Sequence, residues 1–99
     1  MPYLAHWTAN ALADLVRAHA FLAEMDAGAA QRALETILGA TDVLQEFPQA
    51  GRPADGLEPE HRELLIPFGV SGYAAFYVVR GETVVILALK HQREAGYLD

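Results

Sequence analysis

Cysteine is absent from these 99 residues and lysine occurs once, at Lys90. Without cysteine there are no disulfides, no thiolate chemistry and few of the usual structural zinc arrangements, a composition that fits a reducing cytoplasm. The four histidines, His6, His19, His61 and His91, show no i, i+4 ligand spacing. No metal and no cofactor is therefore expected. No apolar run approaches the roughly 18 residues needed to cross a bilayer. Residues 1–7 carry neither a basic leader nor an apolar h-region, so a signal peptide is not expected either. Cations are scarce, with seven Lys and Arg against thirteen Asp and Glu and a net charge of −6. That balance argues against a surface that is basic all over and holds nucleic acid by charge alone. Five of the seven cations (Arg52, Arg62, Arg80, Lys90 and Arg93) nevertheless follow position 50, which leaves room for a local basic face.

What is present reads as one folded domain over 1–99, with a hydrophobic content of 53% against 20% charged. Its organising stretch is 72–97. Tyr73, Phe76, Tyr77, Val78 and Val79 are aromatic or β-branched, Arg80-Gly81-Glu82 breaks the run, and residues 83–89 resume it. Two β-prone runs around a short Gly-containing turn predict an antiparallel hairpin. Residues 84–89 have no polar alternation, so this strand is expected to be central and covered on both faces. Lys90, His91, Gln92 and Arg93 then follow without a linker, placing polar and cationic groups at the end of a rigid strand.

Upstream, residues 3–7 read as a short strand, with Thr8 or Asn10 as the N-cap of a helix. Leu12, Leu15, Val16, His19, Leu22 and Ala23 recur at helical spacing and are expected to form its core-facing side. Met25-Asp26-Ala27-Gly28 interrupts the pattern, and Asp26 can cap a second helix. Ala30, Ala33, Leu34, Ile37, Leu38, Thr41 and Leu44 carry that helix to Phe47-Pro48, where proline stops it. So short a connection requires an antiparallel helical hairpin. Small residues, Gly39 and Ala40 among them, are expected to permit close approach of a partner surface. Residues 47–60 hold three of the five prolines and read as a long loop. Leu64, Leu65 and Ile66 make a strand that Pro67 ends or places at an edge. The expected order is β-α-α-β-β-β, an α+β fold.

In this order and spacing the chain resembles the RelE/ParE superfamily of bacterial type II toxin–antitoxin toxins over nearly its full length. The resemblance rests on the helical hairpin, on Phe47-Pro48-x-x-Gly51-Arg52-Pro53, and on Arg62-Glu63-Leu64. Tyr73-x-x-x-Tyr77 and the ending Lys90-His91-Gln92-Arg93-Glu94-Ala95-Gly96-Tyr97 complete it. It implies two helices packed on one face of a small, mostly antiparallel sheet. It also implies a cognate antitoxin in a toxin–antitoxin hetero-oligomer, a role in plasmid stabilisation, and no membrane partner. RelE-like members of the superfamily cut messenger RNA on the ribosome, whereas ParE-like members bind and poison DNA gyrase.

Metal-free phosphodiester cleavage needs a proton acceptor and a fixed cation near the phosphate. His91, Arg62 and Tyr97 are the catalytic candidates if the chain is a nuclease, because an imidazole is the side chain best suited to accept a proton and Arg62 can hold a phosphate. Arg62, Tyr73, Lys90, His91, Arg93 and Tyr97 are the candidates for contact with a target, gyrase or ribosome. The plainer alternative is a polar strand end, with Arg62 paired to Glu60 or Glu94 and the rings packed away. Relative to the nuclease branch, Leu64 stands where lysines occur, Ala74 where an arginine follows the Gly-Tyr, and His91 where another arginine stands. These departures favour the ParE-like side. Leu22 and Met25 are the candidates for antitoxin binding, as anchors of a helix-in-groove contact; the alternative is that they belong to the core.

Overall fold

The structure, a computed structural model, describes residues 2–92. A short strand β1 (Leu4–Trp7) leads into two helices, α1 (Ala9–Ala23) and α2 (Ala27–Glu46). A two-residue strand β2 (Arg52–Pro53) and three longer ones, β3 (Arg62–Phe68), β4 (Ser71–Arg80) and β5 (Thr83–His91), complete the order. All five strands form one sheet, β1-β5-β4-β3-β2. The pair β1–β5 is parallel and the other three are antiparallel. The fold is thus α+β, as expected, with β2 a small addition inside the region read as a loop.

Both helices begin where the sequence places a cap. The Thr8 hydroxyl accepts the Ala11 N–H and the Asp26 carboxylate accepts the Ala29 N–H, each at 3.1 Å, satisfying a donor that helix geometry leaves open. Only three residues separate the helices, so they fold back on each other, with α1 lying over β5 and α2 over β3. The second helix buries Ala30, Ala33, Ile37, Thr41 and Leu44, close to expectation. Gly39 does not serve close packing, because a Cβ there would meet open space.

The first helix is rotated from the expected face. Its sheet side carries Ala11, Asp14 and Leu15, with Ala18 and Leu22 packed against them. Leu12 and Val16 are 47% and 67% exposed. Apolar residues cover most of the circumference of α1, so periodicity alone could not choose between adjacent stripes. Asp14, of a residue type seldom buried, decided the register because β5 needs it.

That need arises from strand lengths. β1 pairs with β5 only over Thr83, Val84, Val85 and Ile86, leaving the rest of that edge open. There the Asp14 carboxylate accepts the Leu89 N–H at 2.9 Å, and Asn10 donates to the Leu87 carbonyl at 3.0 Å. Side chains of α1 thus complete the backbone pairing that a longer β1 would have supplied. Leu87 is itself a bulge: Phe76 pairs with Ala88 and Tyr77 with Ile86, which leaves Leu87 without a partner on β4. The extra residue resets the alternation, so that Val84, Ile86 and Leu89 all reach the helix side.

The core therefore lies between the helices and one sheet face, around Ile37, Leu44, Ile66, Tyr73, Tyr77, Val84 and Ile86. The other face has a thinner cover, in which Ala54 and Leu57 of the loop before β3 lie against Ala74, Phe76 and Ala88. Val85 and Leu87 remain half-buried, so β5 is central but not fully covered on both sides. β3 continues through Pro67, which is tolerated because β2 pairs only as far as Glu63 and the prolyl nitrogen faces an open edge. The β4–β5 turn is Gly81-Glu82 as expected, and Gly81 takes the positive φ of 60°.

Candidate functional site

Among the described residues, the candidates for catalysis and target contact fall in two neighbourhoods at different places on the sheet. At the end of β5, His91 pairs with Tyr73 across the β4–β5 ladder. Their rings meet edge-on with centroids 5.4 Å apart, and the His91 Nε2 lies 3.2 Å from the Ser71 hydroxyl. Gln92 closes this end by donating from its side chain to the Tyr73 carbonyl at 3.1 Å. Tyr73 is 4% exposed among Leu15, Ile37 and Leu89, so its ring offers no open face for stacking. Burial pushes its hydroxyl pKa up. Lys90, next along the strand and half-buried, borders a separate polar cleft.

Arg62 belongs to the second neighbourhood. It pairs with Tyr77 on β4, four residues from Tyr73 and one strand further from β5. Strand rise and spacing put the backbones of Arg62 and His91 about 16 Å apart. The Arg62 guanidinium donates to the Gly51 carbonyl at 2.6 Å and more distantly to the Gln49 carbonyl at 3.5 Å. Neither Glu60 nor any other carboxylate holds it among the described residues; Glu60 pairs with Arg80 instead, at 3.6 Å. Beside it, the Tyr77 hydroxyl donates to the Pro48 carbonyl and accepts the Gly51 N–H, both at 2.8 Å. Burial raises the Tyr77 pKa, opposed by the Gly51 N–H and the Arg62 charge. Arg62, Tyr77 and the Phe47–Pro53 turn thus form one clasp. Arg93 and Tyr97 lie outside the described residues.

An apolar groove of about 770 Å³ lies between the second half of α1 and the β3–β4 turn. Leu22 is half-buried on its floor. Phe21 and Met25, 62% and 67% exposed, stand on one wall, and Val70, 92% exposed, on the other. Three large apolar side chains left to water around one groove are the mark of a contact surface. Leu22 was legible from helical spacing, and Met25 as an apolar residue just past the pattern. Phe21 was left open between core and surface, and Val70 gave no signal, because a valine in a turn has no periodicity to betray it. Asp14 and Arg17, which also line the groove, form an i, i+3 ion pair at its end. Among the described residues no group of three or more His, Asp or Glu side chains is placed to hold a metal ion, and no helix is long and apolar enough to cross a membrane.

Known proteins resemble this chain in sequence and in fold. Toxin RelE1 of Caulobacter vibrioides is 36% identical over 81 residues, covering 82% of this chain and 84% of that protein. Toxin RelE3 of the same organism is 32% identical over 82% of this chain and 85% of its own length. Among solved structures, one of the chromosomal ParDE toxin–antitoxin system from P. aeruginosa superposes with a TM-score of 0.76 at 25% identity, covering 90% of this chain and 95% of that one. The RelBE2 toxin–antitoxin complex from Mycobacterium tuberculosis shares the fold with a TM-score of 0.65 at 23% identity, covering 92% and 99%. The family model described as "ParE toxin of type II toxin-antitoxin system, parDE" matches residues 5–96. With that match spanning both helices and, but for Leu4 at the start of β1, all five strands, the chain belongs to the ParE toxin family of type II toxin–antitoxin systems.

Proposed function

We propose that this toxin acts in the cytoplasm by stoichiometric binding to DNA gyrase, and that a cognate antitoxin neutralises it by docking on the α1 groove through Leu22 and Met25. The observation that carries the gyrase reading is the separation of Arg62 from His91. Cleavage without a metal needs a cation and a proton acceptor on the same phosphate. Here the guanidinium is committed to the carbonyls of Gly51 and Gln49, about 16 Å along the sheet from the imidazole. Arg62 then serves the fold, and the target contact falls to Lys90 and His91 at the end of β5, together with Arg93 and Tyr97, which follow them in the sequence. Removing a target from action by binding requires a shaped surface and no catalytic set. The antitoxin part is supported by the exposed apolar groove and by the toxin–antitoxin complexes among the structural neighbours.

A second reading, a ribosome-dependent messenger RNA endonuclease, is favoured by the relatives named RelE1 and RelE3 and by the Ser71–His91 contact. Expression without antitoxin separates the two. Growth arrest with DNA damage, together with loss of supercoiling by purified gyrase on adding this chain, supports gyrase inhibition. Rapid loss of intact messenger RNA with supercoiling unaffected would replace it with the nuclease. No phenotype at all would mark a member that only binds its partner.

A further inference from the structure

The apolar groove does not end at Arg17. Asp14 and Arg17 also line a second, polar cleft of about 380 Å³, completed by Asn10, Ala88 and Lys90. The two concavities therefore meet at one ion pair. Arg17 spends one face of its guanidinium on Asp14, yet its side chain remains 70% exposed. Lys90 makes no ion pair among the described residues. In a chain with seven cations and a net charge of −6, two cations facing one cleft make a local exception. Two cations against the single Asp14 carboxylate leave this cleft net positive, so an approaching carboxylate is attracted here.

Resting on the antitoxin reading, we infer that the partner segment is an amphipathic helix that fills the groove with apolar side chains and seats an Asp or Glu between Arg17 and Lys90. Met25 stands in the turn just past the end of α1, eight residues after Arg17, so the acidic residue lies roughly 12 Å, about two helical turns, from the apolar side chain against Met25. An extended strand does not fit as well. The neighbouring β5 edge already gives its Leu89 N–H to Asp14, while its Leu87 carbonyl accepts from Asn10 and Thr8. Backbone pairing is thus blocked where the groove meets the sheet, and side chains must do the recognition. The apolar part supplies affinity and the acidic residue fixes register and orientation.

The test is calorimetric titration of the purified toxin with the antitoxin encoded by the adjoining reading frame, at low and high salt. Arg17→Ala and Lys90→Ala should each weaken binding about tenfold at low salt and flatten its salt dependence. Met25→Asp should weaken it more than about a hundredfold at both. Wild-type affinity and salt slope in both cation variants, with Met25→Asp still defective, overturns the acidic anchor and leaves the groove reading standing. Wild-type binding by both Met25→Asp and Leu22→Asp, or no binding by the frame's product, removes the groove reading and the inference with it. Should Arg17→Ala lose its fold by exposing Asp14, Lys90→Ala decides alone, since no contact within the described fold depends on that ammonium group.

Discussion

Gly51 donates its backbone N–H to the Tyr77 hydroxyl at 2.8 Å, and the approach is so close that no other residue fits. A Cβ at position 51 would lie 2.6 Å from the Tyr77 oxygen, 2.7 Å from its ring and 2.8 Å from the Glu63 carbonyl. Tyr77 is fully buried and cannot move aside. Gly51→Ala should therefore cost several kcal/mol, on the order of the worst single substitutions. Tyr77→Phe keeps the packing but strands the Gly51 N–H and the Pro48 carbonyl, for about 1–3 kcal/mol. Urea unfolding of the two variants checks both. Near-wild-type midpoints would mean that the turn is held by other contacts.

Arg62 should behave as part of the same clasp. Arg62→Ala removes a charged donor from the Gly51 carbonyl, at an expected cost of about 1–2 kcal/mol. Arg62→Lys should recover only part of that, because an ammonium group lacks the planar fork that reaches the carbonyls of Gly51 and Gln49 together. Toxicity at permissive temperature should survive both changes if this residue serves the fold. A fully folded Arg62→Ala protein with no toxicity would move Arg62 back into the target site.

Asp14 carries the open end of β5. It is 7% exposed and accepts from both the Leu89 N–H and Arg17. Asp14→Ala leaves a buried N–H unsatisfied and should cost about 1–3 kcal/mol, with Asp14→Asn milder because an amide oxygen can still accept from Leu89. Hydrogen exchange provides the local readout. The Leu89 amide should lose protection in Asp14→Ala while amides of α2 keep theirs, and uniform loss across the chain would show that the contact is global.

The buried tyrosines set a limit at high pH. Tyr73 and Tyr77 both have pKa values raised in the folded state, chiefly by burial, from an ordinary value of 10.0. Below that value both states hold the phenolic proton and the contribution to stability is complete. As pH rises past it, the unfolded chain releases protons that the folded chain keeps, so stability falls through the folded-state values. Melting temperature should decline above about pH 10, and less steeply in Tyr77→Phe, which has one fewer group to ionise. Parallel alkaline slopes for wild type and variant would contradict this account.

The legible parts of the fold were those fixed by local chemistry. Thr8 and Asp26 are caps by side-chain type, Gly81 marks a hairpin turn, and Pro48 ends α2. What the sequence concealed depends on contacts made at a distance. The bulge at Leu87 follows from a change of pairing between Phe76 and Tyr77, which leaves no local trace. The buried stripe of α1 follows from the open edge of β5, and only pairing lengths reveal that Asp14 must turn inward. The Phe47–Pro53 motif was visible as a pattern, yet its purpose as a receptor for Tyr77 and Arg62 emerges only when β3 and β4 stand beside it. At the candidate site, side-chain type brought Tyr73 and His91 to notice and the ladder does place them together. Tyr73 is buried for the same reason that it was noticed, since aromatic side chains on a central strand are what a small core is made of.

His91 gives the sharpest separation between the two modes of action. If the toxin acts by binding gyrase, His91→Ala removes one contact and a ring packed edge-on to Tyr73. The supercoiling inhibition constant should then rise by no more than about tenfold, the range of a peripheral contact. If the chain cleaves RNA, the same change removes the proton acceptor, and a general base is worth about a hundredfold to ten-thousandfold in rate. His91→Gln refines the comparison, because an amide can still contact the Ser71 hydroxyl but cannot take a proton near neutrality. Growth arrest retained in both variants, with thermal stability close to wild type, fits binding. Arrest abolished in both, in proteins that still melt cooperatively and still bind the antitoxin, would assign the activity to RNA cleavage.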